Sequence, residues 1–155
     1  MNKNLGTEDS QQKDILELVL QHQLENTRLF LGLLEREQAL LASGELESLS
    51  KLIADKEQIV SQLAQLDVQI NQLLATAGFS KGIQGIKNWI TTNQSDATIA
   101  HKWEELLSLT RRAQQLNQTN ASIVSTRLRH AQQTLGALRD MTGHTALYNP
   151  KGQIT

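Results

Sequence analysis

Leu16, Leu20, Leu24, Leu31, Leu34 and Leu41 follow one another at steps of three, four and seven residues, the spacing that sets side chains along one face of an α-helix. Ile15, Val19, Phe30, Leu33 and Leu40 flank that stripe. The pattern predicts a helix over about 11–42 with an apolar face wide enough for two partners. Ser43-Gly44 then reads as a minimal turn, followed by Glu45 and Glu47 where a helix amino terminus favours negative charge. So short a connection forces an antiparallel neighbour. In that neighbour, over about 45–77, Leu52, Ile59, Leu66 and Leu73 recur every seven residues beside Leu49, Leu63 and Ile70, and a third column holds Leu46, Ile53, Val60 and Leu74. Three adjacent columns suit a bundle core better than a two-stranded seam. Lys56 and Asp67 interrupt the columns and read as edge or snorkelling positions.

Between Gly78 and Gln94 the heptads stop, and Gly-Phe-Ser-Lys-Gly-Ile-Gln-Gly leads into a short connecting helix expected over about 86–92. Ser95 or Asp96 can cap a third long helix over about 96–142. Its apolar positions include Trp103, Leu106, Leu107, Leu109, Leu116, Ile123, Val124, Leu128, Leu135 and Leu138, and Gly143 is its expected end. At about 1.5 Å per residue the first two helices are roughly 50 Å long and the third roughly 70 Å. The third is therefore expected to overhang the hairpin with an apolar stripe that lacks an intrachain partner. Residues 143–155 have no helical or strand period and are expected to form a flexible tail. The expected fold is all-α: an elongated antiparallel, coiled-coil-like bundle of three long helices plus the short one, as a single domain over 1–142.

Composition agrees with this pattern. The 155 residues include 26 Leu and 18 Gln but five aromatic side chains, and the single proline is Pro150, so nothing before the tail must break a helix. Without cysteine there is no disulfide framework, thiolate metal site or cysteine nucleophile. Fifteen basic against sixteen acidic residues provide no overall excess for nucleic acid or an anionic membrane. The polar start of the chain has no secretion-signal pattern, and no apolar run approaches the roughly 20 residues that span a bilayer. A cytoplasmic protein without stable membrane insertion is expected.

The chain offers little for catalysis. Of the four histidines, none follows a glutamate at the Glu-x-x-His spacing of a bundle di-metal site. His101 and Glu104 share a face without a second pair, His22 and His130 read as interface packing residues, and His144 sits in the tail. The glycines of 78–85 lack the Gly-Lys-Ser/Thr ending of a phosphate loop. No enzyme, metal or cofactor is expected. Arg111, Arg112, Arg127, Arg129 and Arg139 bias the third helix toward positive charge, but no aromatics are interleaved for base stacking. A solvated or hairpin-pairing face is the expectation. Asn117 and Asn120 read as a structural polar layer, since a buried amide in a helical interface fixes register at a cost in stability.

Four features resemble the FlgN family of flagellar export chaperones: Leu34-Glu-Arg-Glu37 through Leu41-Ala-Ser-Gly-Glu-Leu46, the Lys56-Glu57 stretch, Leu116-Asn-Gln-Thr-Asn120, and Leu147-Tyr-Asn-Pro-Lys-Gly-Gln153. They span about 16–153, while 78–96 adds no distinctive match, and Asn149 stands where a glycine is common in the family. The resemblance implies a non-catalytic chaperone that binds the hook-filament junction proteins FlgK and FlgL, prevents their premature assembly and delivers them to the export gate protein FlhA. It implies cargo contacts at Leu128, Leu135, Leu138, Met141 and Leu147, and a gate-docking role for Tyr148. The rival expectation is a structural coiled-coil protein that self-associates and has no export role.

Overall fold

A computed structural model describes the backbone of residues 2–93 and 97–145, and side chains over 8–93 and 97–142. Four helices follow in order: α1 (Asn2–Ser43), α2 (Leu46–Thr76), α3 (Gly82–Thr92) and α4 (Ala97–Thr145). Together they make an all-α fold. The chain divides into two compact units, Met1–Asn117 and Gln118–Thr155, with the boundary inside α4.

The turns follow from glycine. Gly44 adopts φ +77° and its N–H donates to the Leu40 carbonyl at 2.9 Å, which ends α1 as the Ser43-Gly44 reading predicts. Gly78, at φ +87°, ends α2 in a double hydrogen-bonded cap. Its N–H donates to the Ala75 carbonyl and that of Phe79 to the Leu74 carbonyl, the Schellman arrangement, while Phe79 turns in against the core.

Helix ends differ from expectation at three places. α1 begins at Asn2 rather than near 11, because a helix nucleated by the leucine face extends through polar residues at little cost where no proline intervenes. α3 begins at Gly82 rather than 86. There Gly82 takes φ +81° and its N–H donates to Asn71 Oδ1 at 3.0 Å, so α2 itself fixes where α3 starts. α4 runs to Thr145, past Gly143, since Gly143 keeps right-handed backbone and so supplies no left-handed stop. The expected caps Ser95 and Asp96 lie outside the described residues.

Within the first unit, cross-helix contacts set direction. Gln23 of α1 donates to Asp67 of α2, and Lys56 pairs with Glu37 at 2.8 Å. Residue numbers run in opposite senses, so α1 and α2 are antiparallel. Glu17 pairs with Lys102, Arg28 with Glu105 and Glu35 with Arg112, which sets the first part of α4 parallel to α1. The core contains the whole predicted stripe of α1, Leu16 through Leu41, with Leu20 and Leu34 fully buried. Leu66, Ile70 and Leu74 of α2, Ile86 and Trp89 of α3, and Ile99, Trp103 and Leu106 of α4 complete the main cluster. A second cluster joins Leu31 and Leu34 to Ala113.

Other apolar positions are not covered. Leu46, Ile53 and Val60 of the third α2 column are exposed, although Leu74 of the same column is buried, and Ile15, Leu18 and Leu29 are exposed as well. Apolar width on a helix marks what can be buried, and along that stretch of α2 only Leu52 is buried, while Lys56 pairs with Glu37 of α1. Inside α3, a Cβ built on Gly85 would lie 1.6 Å from the Ser80 carbonyl oxygen. Only glycine permits that approach of helix to loop.

Candidate functional site

Surface features in the two units differ in kind. In Met1–Asn117 the helices leave a half-open groove of about 460 Å³. Thr27 and Phe30 of α1 line it, with Leu63 of α2, Ile86 of α3, and Trp103 and Leu107 of α4 around them. Gln23 and Asp67 bond to each other within its lining, so the acid that interrupts the α2 columns serves as an acceptor between helices. Lys56 also has a definite place. Its ammonium pairs with Glu37 and stands 5.9 Å from the centre of the Phe30 ring, a half-buried arrangement in which charge and ring quadrupole act together. The groove is largely apolar, and no group of three or more His, Cys, Asp or Glu among the described residues could hold a metal ion.

Its existence was not foreseen. Heptad columns identify apolar faces but say nothing of how far apart two helices stand on a shared third, and the groove comes from that separation. Of the histidines, His22 and His130 are exposed and are not packed between helices of the chain. Among the polar pair, the buried amide is Asn120, at 2% exposure, whereas Asn117 is exposed and lines the groove. The column of Asn117 borders the core, while Asn120 continues the buried column of Ile99, Leu106 and Ala113.

In the second unit most large apolar side chains of α4 lie open, Ile123 being half-buried. Leu128, Leu135, Leu138 and Met141 are 58%, 56%, 52% and 65% exposed, and Val124 is exposed beside them. Val124, Leu128, Ala131, Leu135, Leu138 and Thr142 succeed one another at alternating steps of four and three, the seam of a coiled coil. Met141 falls on the flank of that seam. Leu147 and Tyr148 lie outside the described residues.

An all-α chain with a regular, uncovered apolar seam has the kind of surface through which helical proteins bind other chains. No helix among the described residues is long and apolar enough to cross a membrane. A family model described as FlgN protein matches residues 12–155. The chain therefore belongs to the FlgN family of flagellar export chaperones, whose members bind flagellar proteins. Compared with curated proteins and with solved structures, it matches none.

Proposed function

We propose that this protein is a cytoplasmic chaperone for the hook-filament junction proteins FlgK and FlgL, keeping them from premature assembly and delivering them to the export gate protein FlhA. The observation that carries this reading is the exposed seam of α4 with Leu128, Leu135 and Leu138, flanked by Met141. An amphipathic helix of a cargo terminus buries its own apolar face there as a helix-in-groove partner. Leu147 extends the cargo contact, and Tyr148 docks the loaded chaperone to the gate. Asn120 serves as the buried polar group that holds helix register.

Calorimetry with the terminal region of the cognate FlgK or FlgL tests the assignment: a complex is expected, and its absence defeats it. Tyr148→Ala is expected to leave cargo affinity unchanged and to weaken binding to the cytoplasmic domain of FlhA. Equal loss of both would refute the separation of roles. The exposed column Leu46, Ile53 and Val60 favours self-association instead. A light-scattering mass showing a tight oligomer with α4 wholly buried would decide for that scaffold reading.

A further inference from the structure

The overall charge of −1 conceals a division. Met1–Asn117 carries eleven basic and fifteen acidic side chains, a net of −4, while Gln118–Thr155 carries Arg127, Arg129, Arg139 and Lys151 against Asp140 alone, a net of +3. Placement sharpens this imbalance. With Leu128, Ala131, Leu135 and Leu138 at the seam, the edge positions are Ser125, Arg127, Gln132, Thr134, Arg139 and Met141. Both charges at those edges are therefore positive, one on each side of the seam, and both side chains are exposed. Asp140 and Arg129 fall on the opposite face at about 100° per residue.

Edge charges in such seams choose the partner, because they meet its edge residues across the apolar contact. The change is abrupt along the helix. The column Ile99, Leu106, Ala113 and Asn120 is buried at every step, and its next member is Arg127. A second copy that met this seam with its own would bring further arginines to the edges and no carboxylate. A membrane surface is also a poor fit, since the segment 118–142 has no Trp, Phe or Tyr to anchor it and its apolar face is narrow.

We propose that the α4 seam over 124–142 selects amphipathic helices with Glu or Asp at the edges of their apolar stripe, Arg127 and Arg139 being the selecting groups. This rests on the reading of the seam as the cargo face, and it adds the charge signature that a cargo helix must carry. Two designed helical peptides with the same leucine stripe, one with Glu and the other with Lys at every edge position, test it against the full chain by fluorescence anisotropy. The Glu peptide is expected to bind at least about tenfold more tightly in dilute salt. That preference is expected to collapse near 1 M NaCl, where the screening length falls to about 3 Å.

In the double variant Arg127→Glu with Arg139→Glu the preference is expected to invert, with helix content by circular dichroism unchanged. Arg139→Gln alone is expected to reduce it partway. Equal binding of the two peptides, or an unchanged preference in the double variant, overturns charge selection while leaving the seam as a cargo face. Binding of neither peptide, or binding only to phosphatidylserine vesicles, overturns it as well. The cargo reading itself falls separately, through failure of the junction-protein calorimetry.

Discussion

Ile99, Leu106 and Ala113 in the first unit and Val124, Leu128, Leu135 and Leu138 in the second belong to one helix and share the same helical spacing. The first three are buried and the last four exposed. In the first unit, α1 supplies the cover, and charged side chains at the margin find partners there too, as Lys102 does with Glu17 and Arg112 with Glu35. In the second, no described residue covers the seam. Apolar periodicity thus states that a face is built for burial but leaves open who buries it. A face completed by its own chain stabilises the fold, and one left incomplete stores burial free energy for another chain. Each fully covered leucine is worth about 1.5–3 kcal/mol relative to exposure.

The comparison breaks most readily at its leucines. Leu34 is fully buried between α1 and α4, so Leu34→Ala is expected to lower unfolding stability by about 2–5 kcal/mol through lost burial and the cavity left behind. Leu135→Ala removes the same atoms from a side chain that is already mostly in water, and a change within about 0.5 kcal/mol is expected. Chemical denaturation followed by circular dichroism measures both. Similar losses for the two would mean that the second seam is covered within the folded chain, and the distinction would fail.

How far the sequence shows this division depends on the residue. The α1 stripe is legible because six leucines at one helical period mark the centre of its apolar face, and all six are buried. The hairpin is legible because Gly44 comes three residues after Leu41, the last leucine of that stripe. By contrast, Leu46, Ile53 and Val60 have spacing as regular as that of Leu52 and Leu66 yet stay exposed. Pattern cannot tell a covered column from an uncovered one. Lys56 and Asp67 show the same limit for polar groups. Their partners Glu37 and Gln23 are 19 and 44 residues away, and only the hairpin register brings them together. The seam at Leu128, Leu135 and Leu138 is visible as a candidate because α4 outlasts the length of the hairpin. The charge of its edges emerges only when the seam positions are assigned.

A second test asks whether the first unit is pinned at its loop end. Gly85→Ala places a Cβ against the Ser80 carbonyl, and the backbone cannot yield as a flexible side chain would. A loss of about 1–3 kcal/mol is expected, as for other overpacked sites. Thermal unfolding should report it, while affinity for a partner at the 124–142 seam should stay at the level of the parent protein. A parallel loss of partner affinity would show that the two units do not act separately.

The smallest expected effect concerns the charges. Lys56 and Glu37 have side chains only 19% and 12% exposed, whereas Arg112 and Glu35 are 67% and 53% exposed. Water screens the second pair heavily, so Arg112→Ala is expected to change stability by less than about 0.5 kcal/mol. Lys56→Ala loses a better shielded ion pair and the contact over the Phe30 ring, and about 1 kcal/mol is expected. Repeating both measurements in 1 M NaCl separates the causes, because salt suppresses interactions between exposed charges far more than those between partly buried ones. The Lys56 effect should persist there and the Arg112 effect should vanish. If both vanish, the charges of the first unit are as open to solvent as the edge arginines of the second, and the contrast between the units rests on their apolar faces alone.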